Sequence, residues 1–128
     1  MIKKMILVVD DEEAILLAFK KLLQRPHIDV DTCESKEDAM NLLTKFTYDI
    51  VIADLRLSGT LEQEGFEIIE FVKKKSPLTR VALITAYGNY GIQEKALKCG
   101  ADFYFEKPVS IKNIYEILES IDNKQIEV

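Results

Sequence analysis

Hydrophobic residues recur along the chain in five short runs rich in Val and Ile, each followed by a longer stretch that mixes apolar and polar residues. Runs of this length and composition predict β-strands. They are Met5–Val9, Ile28–Cys33, Ile50–Ala53, Val81–Ile84 and Asp102–Phe105. The first, third and fourth are apolar at nearly every position, which is typical of parallel strands that helices cover on both faces. The second alternates apolar and polar residues, so we expect it at the edge of the sheet.

The stretches between the runs repeat apolar residues with the period of an amphipathic α-helix. The predicted helices are about Glu12–Gln24, Lys36–Phe46, Glu64–Lys74, Asn89–Cys99 and Ile111–Ile121. We expect Gly100 to cap the end of the fourth helix and Ser110 to cap the start of the fifth. Regular alternation of strand and helix predicts an α/β fold, a three-layer doubly wound (βα)5 domain of flavodoxin-like type. Its five-stranded parallel sheet would have the order 2-1-3-4-5.

Composition narrows the kind of protein without changing this architecture. The 128 residues suit one domain, which we place at residues 1–122, followed by a polar tail at 123–128. The net charge of −5 and the lack of a basic stripe argue against direct nucleic-acid binding. No apolar run approaches the roughly 20 residues that cross a bilayer, so we expect no membrane partner and a cytoplasmic location. We expect Cys33 and Cys99 to be buried free thiols and His27 to be an exposed turn residue.

Carboxylates follow two of the predicted strands, at the sheet edge where doubly wound folds bind their ligands. Asp10 and Asp11 follow the first strand, and Asp54 follows the third, its neighbour in the predicted order. Three carboxylates in one crevice repel one another unless a cation lies between them. An oxygen-only ligand set suits Mg²⁺, with Mn²⁺ as a substitute. Glu12 and Glu13 are explained by the attraction of acidic groups to a helix N-terminus.

A hydroxyl and an ammonium group extend this set at the ends of the last two strands. Thr85 follows the fourth strand and Lys107 follows the fifth. Taken singly, Thr85 could simply end a strand and Lys107 could be a solvated loop residue. Together with the acids they match the needs of a phosphoryl group and its metal. Asp54 is the predicted nucleophile, Lys107 would pair with a phosphoryl oxygen, and Thr85 would donate a hydrogen bond to it.

These residues resemble the receiver domain of two-component response regulators over essentially the whole chain. The resemblance rests on Asp10-Asp11, Ile52-Ala53-Asp54, Thr85-Ala86 and Lys107-Pro108, all at the spacing of that family. It implies a signalling phosphoacceptor rather than an enzyme. The phosphoryl group would come from the phosphohistidine of a sensor histidine kinase or a histidine phosphotransfer protein and would be transferred to Asp54.

The resemblance has four further implications. The backbone carbonyl of Arg56 would complete the metal site. Thr85 and Tyr104 would form a conformational switch, although Tyr104 is also explained as a half-buried aromatic residue. The Lys107-Pro108 peptide bond would be cis. A downstream effector, or a second copy in a self-dimer, would bind the face of helix 4, strand 5 and helix 5, at about Asn89–Ile121.

The chain departs from the usual receiver pattern after the phosphoacceptor. The segment Leu57–Gly65 is longer than usual by about three residues, and its role is left open. Arg56 and Tyr87 occupy the two positions that flank the path of attacking water in receivers. Both side chains are bulky, so we hypothesise that they slow hydrolysis of the acyl phosphate.

Three other functions are compatible with the fold but fit the residues less well. A nucleotide- or flavin-binding enzyme would need a phosphate-cradling first loop, where this chain has acidic residues. An aspartyl-phosphate phosphatase would carry a second acid at the position of Arg56. A pseudo-receiver would have lost one of the key residues, whereas all are retained. The cognate kinase, the output and whether the chain is part of a longer protein stay open.

Overall fold

The structure, a computed structural model, describes residues 3–55, 63–86 and 88–123. Strands and helices alternate through these ranges, which confirms the predicted α/β class. The elements are β1 Lys4–Val9, α1 Glu13–Leu23, β2 Ile28–Cys33, α2 Lys36–Lys45, β3 Ile50–Asp54, α3 Gln63–Lys75, β4 Arg80–Thr85, α4 Tyr90–Cys99, β5 Phe103–Glu106 and α5 Ile111–Asn123. No helix in the described ranges is both long enough and apolar enough to cross a bilayer.

The five strands form one parallel sheet in the order β2-β1-β3-β4-β5. This is the predicted order, and β2 lies at the edge as its alternating pattern indicates. In register, Val9 of β1 pairs with Ala53 of β3. The chain therefore leaves β1 and β3 side by side, at the same edge of the sheet.

Two hydrophobic layers cover the sheet because each strand alternates its side chains between the two faces. Ile6 and Val8 of β1 pack beneath α1 and α5, while Leu7 and Val9 pack beneath α2, α3 and α4. The strands thus bury apolar residues on both sides, which accounts for their continuous hydrophobic runs.

Most of the predicted element boundaries differ from the structure by one or two residues, and three of these differences have a local cause or consequence. β5 begins at Phe103 instead of Asp102, because the Asp102 carboxylate accepts a hydrogen bond from the Val81 amide and pairs with Lys73, both at 2.8 Å. α3 begins at Gln63, so Gly65 lies inside the helix and not at the end of a loop. α5 continues to Asn123, beyond the predicted domain boundary. The rest of the predicted long loop and of the tail lies outside the described residues.

The predicted helix caps are present. Gly100 has a φ of 109° and ends α4 in the left-handed conformation, where its amide bonds back to Ala96 and Leu97. The Ser110 hydroxyl accepts a hydrogen bond from the Asn113 amide at 3.1 Å.

The thiol and histidine predictions hold only in part. Both cysteines are free, but only Cys33 is buried, and the prediction is wrong for the half-buried Cys99, whose sulfur lies 3.9 Å from Glu70. His27 is half-buried, not exposed, because its carbonyl accepts a hydrogen bond from the Lys4 amide at the start of β1.

Candidate functional site

Asp10 stands where the chain leaves β1, and it is fully buried. Its amide donates a hydrogen bond to the Cys33 carbonyl at 3.1 Å, which extends the pairing of β1 with β2 by one residue. Its Oδ1 accepts a hydrogen bond from the Glu12 amide at 2.9 Å. This local bond turns the chain from the strand into α1 and fixes the orientation of the carboxylate.

Asp54 is the last residue of β3, and it is 5% exposed. Because β1 and β3 are neighbours, the Asp54 and Asp10 side chains emerge at the same point of the sheet edge. The Lys107 ammonium reaches both of them. Its Nζ lies 2.9 Å from Asp10 Oδ2 and donates a hydrogen bond to Asp54 Oδ2 at 3.1 Å.

Lys107 is held in this position by the strand that precedes it. It follows Glu106, the last residue of β5, and its amide donates a hydrogen bond to the Thr85 carbonyl at 2.9 Å. The peptide bond between Lys107 and Pro108 is cis. The Lys107 side chain is only 13% exposed, so its charge acts mainly on the two buried carboxylates.

Burial and charge act in opposite directions on these groups. Burial raises the pKa of the Asp10 carboxyl, and the Glu12 amide and the Lys107 ammonium offset that effect only in part. Burial acts to lower the pKa of Lys107, but its close contact with Asp10 and the charges of Asp54 and Asp10 outweigh burial and raise it. The lysine is therefore a fixed positive charge, whereas the pocket does not fully compensate the charge of Asp10.

The Asp10 carboxylate and its neighbours fit a hard divalent cation. Carboxylate oxygens of Asp10, Asp11 and Glu12 lie within 4.8 Å of one another. Asp10 Oδ2 is buried, and its contact with the Lys107 ammonium lacks the geometry of a well-formed hydrogen bond. A buried carboxylate with room for a further partner, in a set made only of oxygen ligands, matches what Mg²⁺ or Mn²⁺ requires.

Thr85 and Tyr104 lie on the adjoining strands. Thr85 is the last residue of β4 and is 1% exposed. Tyr104 of β5 pairs with Leu83 and packs against the hydrophobic layer beneath α2, α3 and α4. Its hydroxyl is buried and makes no well-formed hydrogen bond to the described part of the chain. Burial, reinforced by the charge of Glu106, raises the pKa of Tyr104, and the nearby Asn89 amide opposes this effect.

The structure thus gathers most of the predicted site residues. Asp10, Asp54 and Lys107 are in contact, and Asp11 is exposed at the rim. Thr85 lies one residue beyond Ile84, which pairs with Asp54. The predicted roles of Arg56 and Tyr87 fall outside the described residues.

Glu12 belongs to this group and was not predicted. It occupies the N-cap position of α1, but its side chain caps no amide. Glu12 Oε1 lies 3.5 Å from Lys107 Nζ instead. An acidic residue at a helix start fits the helix dipole equally well, so only its position directly after Asp10 and Asp11 signals a role at the site.

A groove of about 400 Å³ opens beside the site, between α1 and the segment that joins β5 to α5. Glu12 and Lys107 supply its charged lining. The remaining lining is apolar and includes Ile15, Ala18, Phe19, Leu22, Pro108, Val109 and Ile114. An apolar groove that leads directly to a charged site can receive the apolar face of a partner helix.

Comparison with known proteins gives concordant results. Residues 6–119 match the family described as response regulator receiver domain. The response regulator protein PilR of Pseudomonas aeruginosa is 31% identical over 112 residues, which are 88% of this chain and 24% of PilR. The chain therefore spans about a quarter of the length of that relative.

Two solved structures extend the comparison to three dimensions. A CheY-like response regulator receiver domain protein from Methanospirillum hungatei JF-1 superposes with a TM-score of 0.86 at 26% identity, covering 98% of this chain and 99% of that one. The beryllofluoride-activated NtrC4 receiver domain dimer gives 0.81 at 28% identity, covering 93% and 97% of the two chains.

Proposed function

The chain belongs to the response regulator receiver domain family, and we propose that Asp54 is the residue on which it accepts a phosphoryl group from a phosphohistidine. The observation that carries this proposal is the Lys107 ammonium, which lies 3.1 Å from Asp54 Oδ2 and 2.9 Å from Asp10 Oδ2. A carboxylate held beside a fixed cation can act as a nucleophile toward phosphorus without accumulating negative charge.

In the transfer step, an Asp54 oxygen forms a bond to phosphorus while the phosphorus–nitrogen bond of the donor breaks. The bonding electron pair stays on the imidazole nitrogen. If the ring carries no other proton, that nitrogen takes one from solvent, so the donor histidine leaves as neutral imidazole. Lys107 offsets charge on the transferred oxygens, and Thr85 donates a hydrogen bond to one of them. The chain acts as a signalling phosphoacceptor.

Asp10, Asp11 and Asp54, with the backbone carbonyl of Arg56, would hold Mg²⁺ or Mn²⁺ in this site. The buried Asp10 oxygen that accepts no well-formed hydrogen bond supports this assignment. When bound, the metal supplies positive charge next to the phosphoryl oxygens.

The donor would be a histidine kinase or a histidine phosphotransfer protein that packs a helix into the groove beside α1. Support comes from the apolar lining of the groove and from the presence of Lys107 in that lining. Ala18 is exposed on α1 within this lining, so Ala18→Arg should block a protein donor. The same variant should still accept a phosphoryl group from acetyl phosphate, which needs no groove.

The output side of the proposal concerns Thr85, Tyr104 and the face of α4, β5 and α5. Four large side chains on α4 and α5 are exposed, which suits an effector or a self-dimer: Tyr90, Leu97, Ile111 and Tyr115. The activated receiver dimer among the similar structures is consistent with self-association. Phosphorylation at Asp54 would change this face through Thr85 and Tyr104.

Arg56 and Tyr87 would prolong the phosphorylated state by shielding the acyl phosphate from water. Replacing them with Asn and Gly and timing the loss of the phosphoryl group tests this idea. We expect faster hydrolysis in the double variant, and an unchanged rate would contradict the shielding.

The deciding experiment is intact-mass spectrometry after incubation with Mg²⁺ and acetyl phosphate. We expect the wild type to gain one phosphoryl group and Asp54→Ala to gain none. Asp49→Asn is the matched control, because Asp49 precedes the opposite end of β3 and its carboxylate accepts a hydrogen bond from the Met5 amide. A wild type that never gains the group overturns the proposal, and a loss in Asp49→Asn would show that Asp54 alone is not decisive.

A further inference from the structure

The Tyr104 hydroxyl lies directly against the backbone of Gly88, in the segment between β4 and α4. A Cβ atom added to Gly88 would overlap the Tyr104 hydroxyl oxygen, and it would lie 3.1 Å from Tyr104 Cζ and 3.1 Å from Glu106 Cγ. The present position of Tyr104 is therefore available only because residue 88 has no side chain.

Backbone conformation does not explain why residue 88 is glycine. Among the described residues, Gly100 is the only glycine with a positive φ. Alanine is thus compatible with the backbone at Gly88, and a substitution there would act through the space that Tyr104 occupies.

Of the atoms that meet the added Cβ, the Tyr104 hydroxyl is the easiest to move. It is the end of a side chain that rotates about χ1, whereas the Tyr104 backbone is fixed by pairing with Leu83 of β4. Tyr104 is half-buried, so its ring borders solvent and has a route outward. The Asn89 amide lies near the hydroxyl but makes no well-formed hydrogen bond to it that would hold it in place.

We propose that Gly88 is the positioning residue for Tyr104, and that the volume of side chain 88 decides whether the tyrosine packs inward or turns outward. The glycine makes the inward position available before any phosphoryl group is present. The steric part of this inference stands independently, and only its consequence for signalling rests on the proposed function.

The contact also links Tyr104 to the start of α4. Asn89 follows Gly88 and caps this helix. The Asn89 Oδ1 atom accepts a hydrogen bond from the Ile92 amide at 3.0 Å. An inward Tyr104 therefore packs against the segment that fixes where α4 begins, next to the exposed Tyr90. An outward Tyr104 would leave that segment without the contact and add a third tyrosine, beside Tyr90 and Tyr115, to the exposed face.

The test is a double-substitution cycle with Gly88→Ala, Tyr104→Phe and the combination of both. Tyr104→Phe removes the hydroxyl that alanine would overlap. Gly91→Ala is the matched control, because a Cβ at Gly91 meets only Asn89 Oδ1, at an ordinary 3.4 Å. All four variants are compared with the wild type without phosphoryl donor, so the result does not depend on Asp54.

The first readout is NMR of ¹³C-tyrosine-labelled protein with a soluble gadolinium chelate, which broadens signals of exposed rings. The Tyr104 signals are identified by their loss in Tyr104→Phe. We expect Gly88→Ala to shift and broaden them markedly, and Gly91→Ala to leave them as in the wild type. Tyr104 signals that are equally protected in both alanine variants would overturn the inference.

The second readout is the urea midpoint of unfolding. We expect Gly88→Ala to lower the midpoint when Tyr104 is present and to change it little in combination with Tyr104→Phe. An equal shift in both backgrounds would show that Tyr104 is not the group displaced. Phosphorylation of Asp54 is followed separately by intact mass, so a failure of the proposed function is distinguished from a failure of this inference.

Discussion

Replacing Lys107 with methionine should remove the only positive charge that the described residues place between Asp10 and Asp54. The side chain keeps a similar length and apolar stem, so the change is mainly electrostatic. The two carboxylates would then lose the ammonium that neutralises them while staying buried, with side chains 0% and 8% exposed. We expect the metal-free protein to lose much of its stability.

The size of the loss follows from the two contact distances of 2.9 and 3.1 Å. At an effective dielectric constant near 20, each contact corresponds to roughly 5 kcal/mol of attraction before the cost of desolvating the charges is subtracted. Removal of one partner from a buried ion pair typically costs about 3–5 kcal/mol, so we expect a net loss of that order. With a total stability of roughly 5–15 kcal/mol, the variant should still fold.

Urea unfolding in the presence of EDTA measures this loss. For a domain of this size, a loss of about 3–5 kcal/mol lowers the midpoint by roughly 2 M. The control is Lys36→Met, since Lys36 pairs with Glu67 at 2.7 Å but both side chains are far more exposed than those at Lys107, at 30% and 48%. We expect no measurable shift for the control. Equal midpoints for Lys107→Met and Lys36→Met would refute the electrostatic reasoning.

Addition of Mg²⁺ to the same samples separates the ion pair from the proposed metal site. A cation held by the carboxylates would compensate the lost charge, so Mg²⁺ should raise the midpoint of Lys107→Met more than that of the wild type. If Lys107→Met is destabilised but does not respond to Mg²⁺, the ion pair is supported and the metal assignment is not.

Three further predictions concern the surroundings of the site. Gly65→Ala should lower the unfolding free energy by about 1–3 kcal/mol, because its Cβ would lie 2.7 Å from the Leu55 Cα, and urea unfolding that shows no loss would contradict this. Burial raises the pKa of the Cys33 thiol from 9.0 to about 12. At pH 8 we therefore expect iodoacetamide to label Cys33 about a thousandfold more slowly in the folded protein than in urea, with the rate rising only as the pH approaches that pKa. Similar rates in the folded and unfolded protein would contradict the burial of Cys33. Ser35→Ala should cost about 1 kcal/mol in thermal unfolding, because the Ser35 hydroxyl caps α2 at the Asp38 amide, and an unchanged melting temperature would show that the cap is dispensable.

Periodicity predicted the fold because this sheet is buried on both faces. A continuous apolar run such as Ile50–Ala53 indicates a strand that is buried on both faces. The alternation of apolar and polar residues in β2 indicates a strand with one more exposed face, as at a sheet edge. The start of β5 was predicted wrongly because the Asp102 carboxylate accepts a hydrogen bond from the Val81 amide, and these two residues are distant in the sequence. Such long-range hydrogen bonds leave no periodic signal.

The charged centre, formed by Asp10, Asp54 and Lys107, was predictable for a related reason. Strand order decides which strand ends are neighbours, so the predicted order placed Asp10 beside Asp54, as the pairing of β1 with β3 shows. Glu12 was missed because helix-dipole stabilisation and a role beside Lys107 favour the same residue type. Gly88 was missed because its role depends on where the Tyr104 ring packs, and side-chain packing cannot be read from the identity of a glycine.

Strands β4 and β5 connect the charged centre to the tyrosine. Two sets of contacts hold Lys107. Its ammonium forms ion pairs with Asp10 and Asp54, and its backbone amide donates a hydrogen bond to the Thr85 carbonyl at 2.9 Å. A phosphoryl group on Asp54 would draw the Lys107 ammonium toward the phosphoryl oxygens. The hydrogen bond from the Lys107 amide to Thr85 would keep the backbone of β5 in register with β4. The rearrangement is then confined to side chains and to the segment after Thr85. Gly88 lies in that segment, so the space at residue 88 sets how far a change of charge at Asp54 can alter the position of Tyr104.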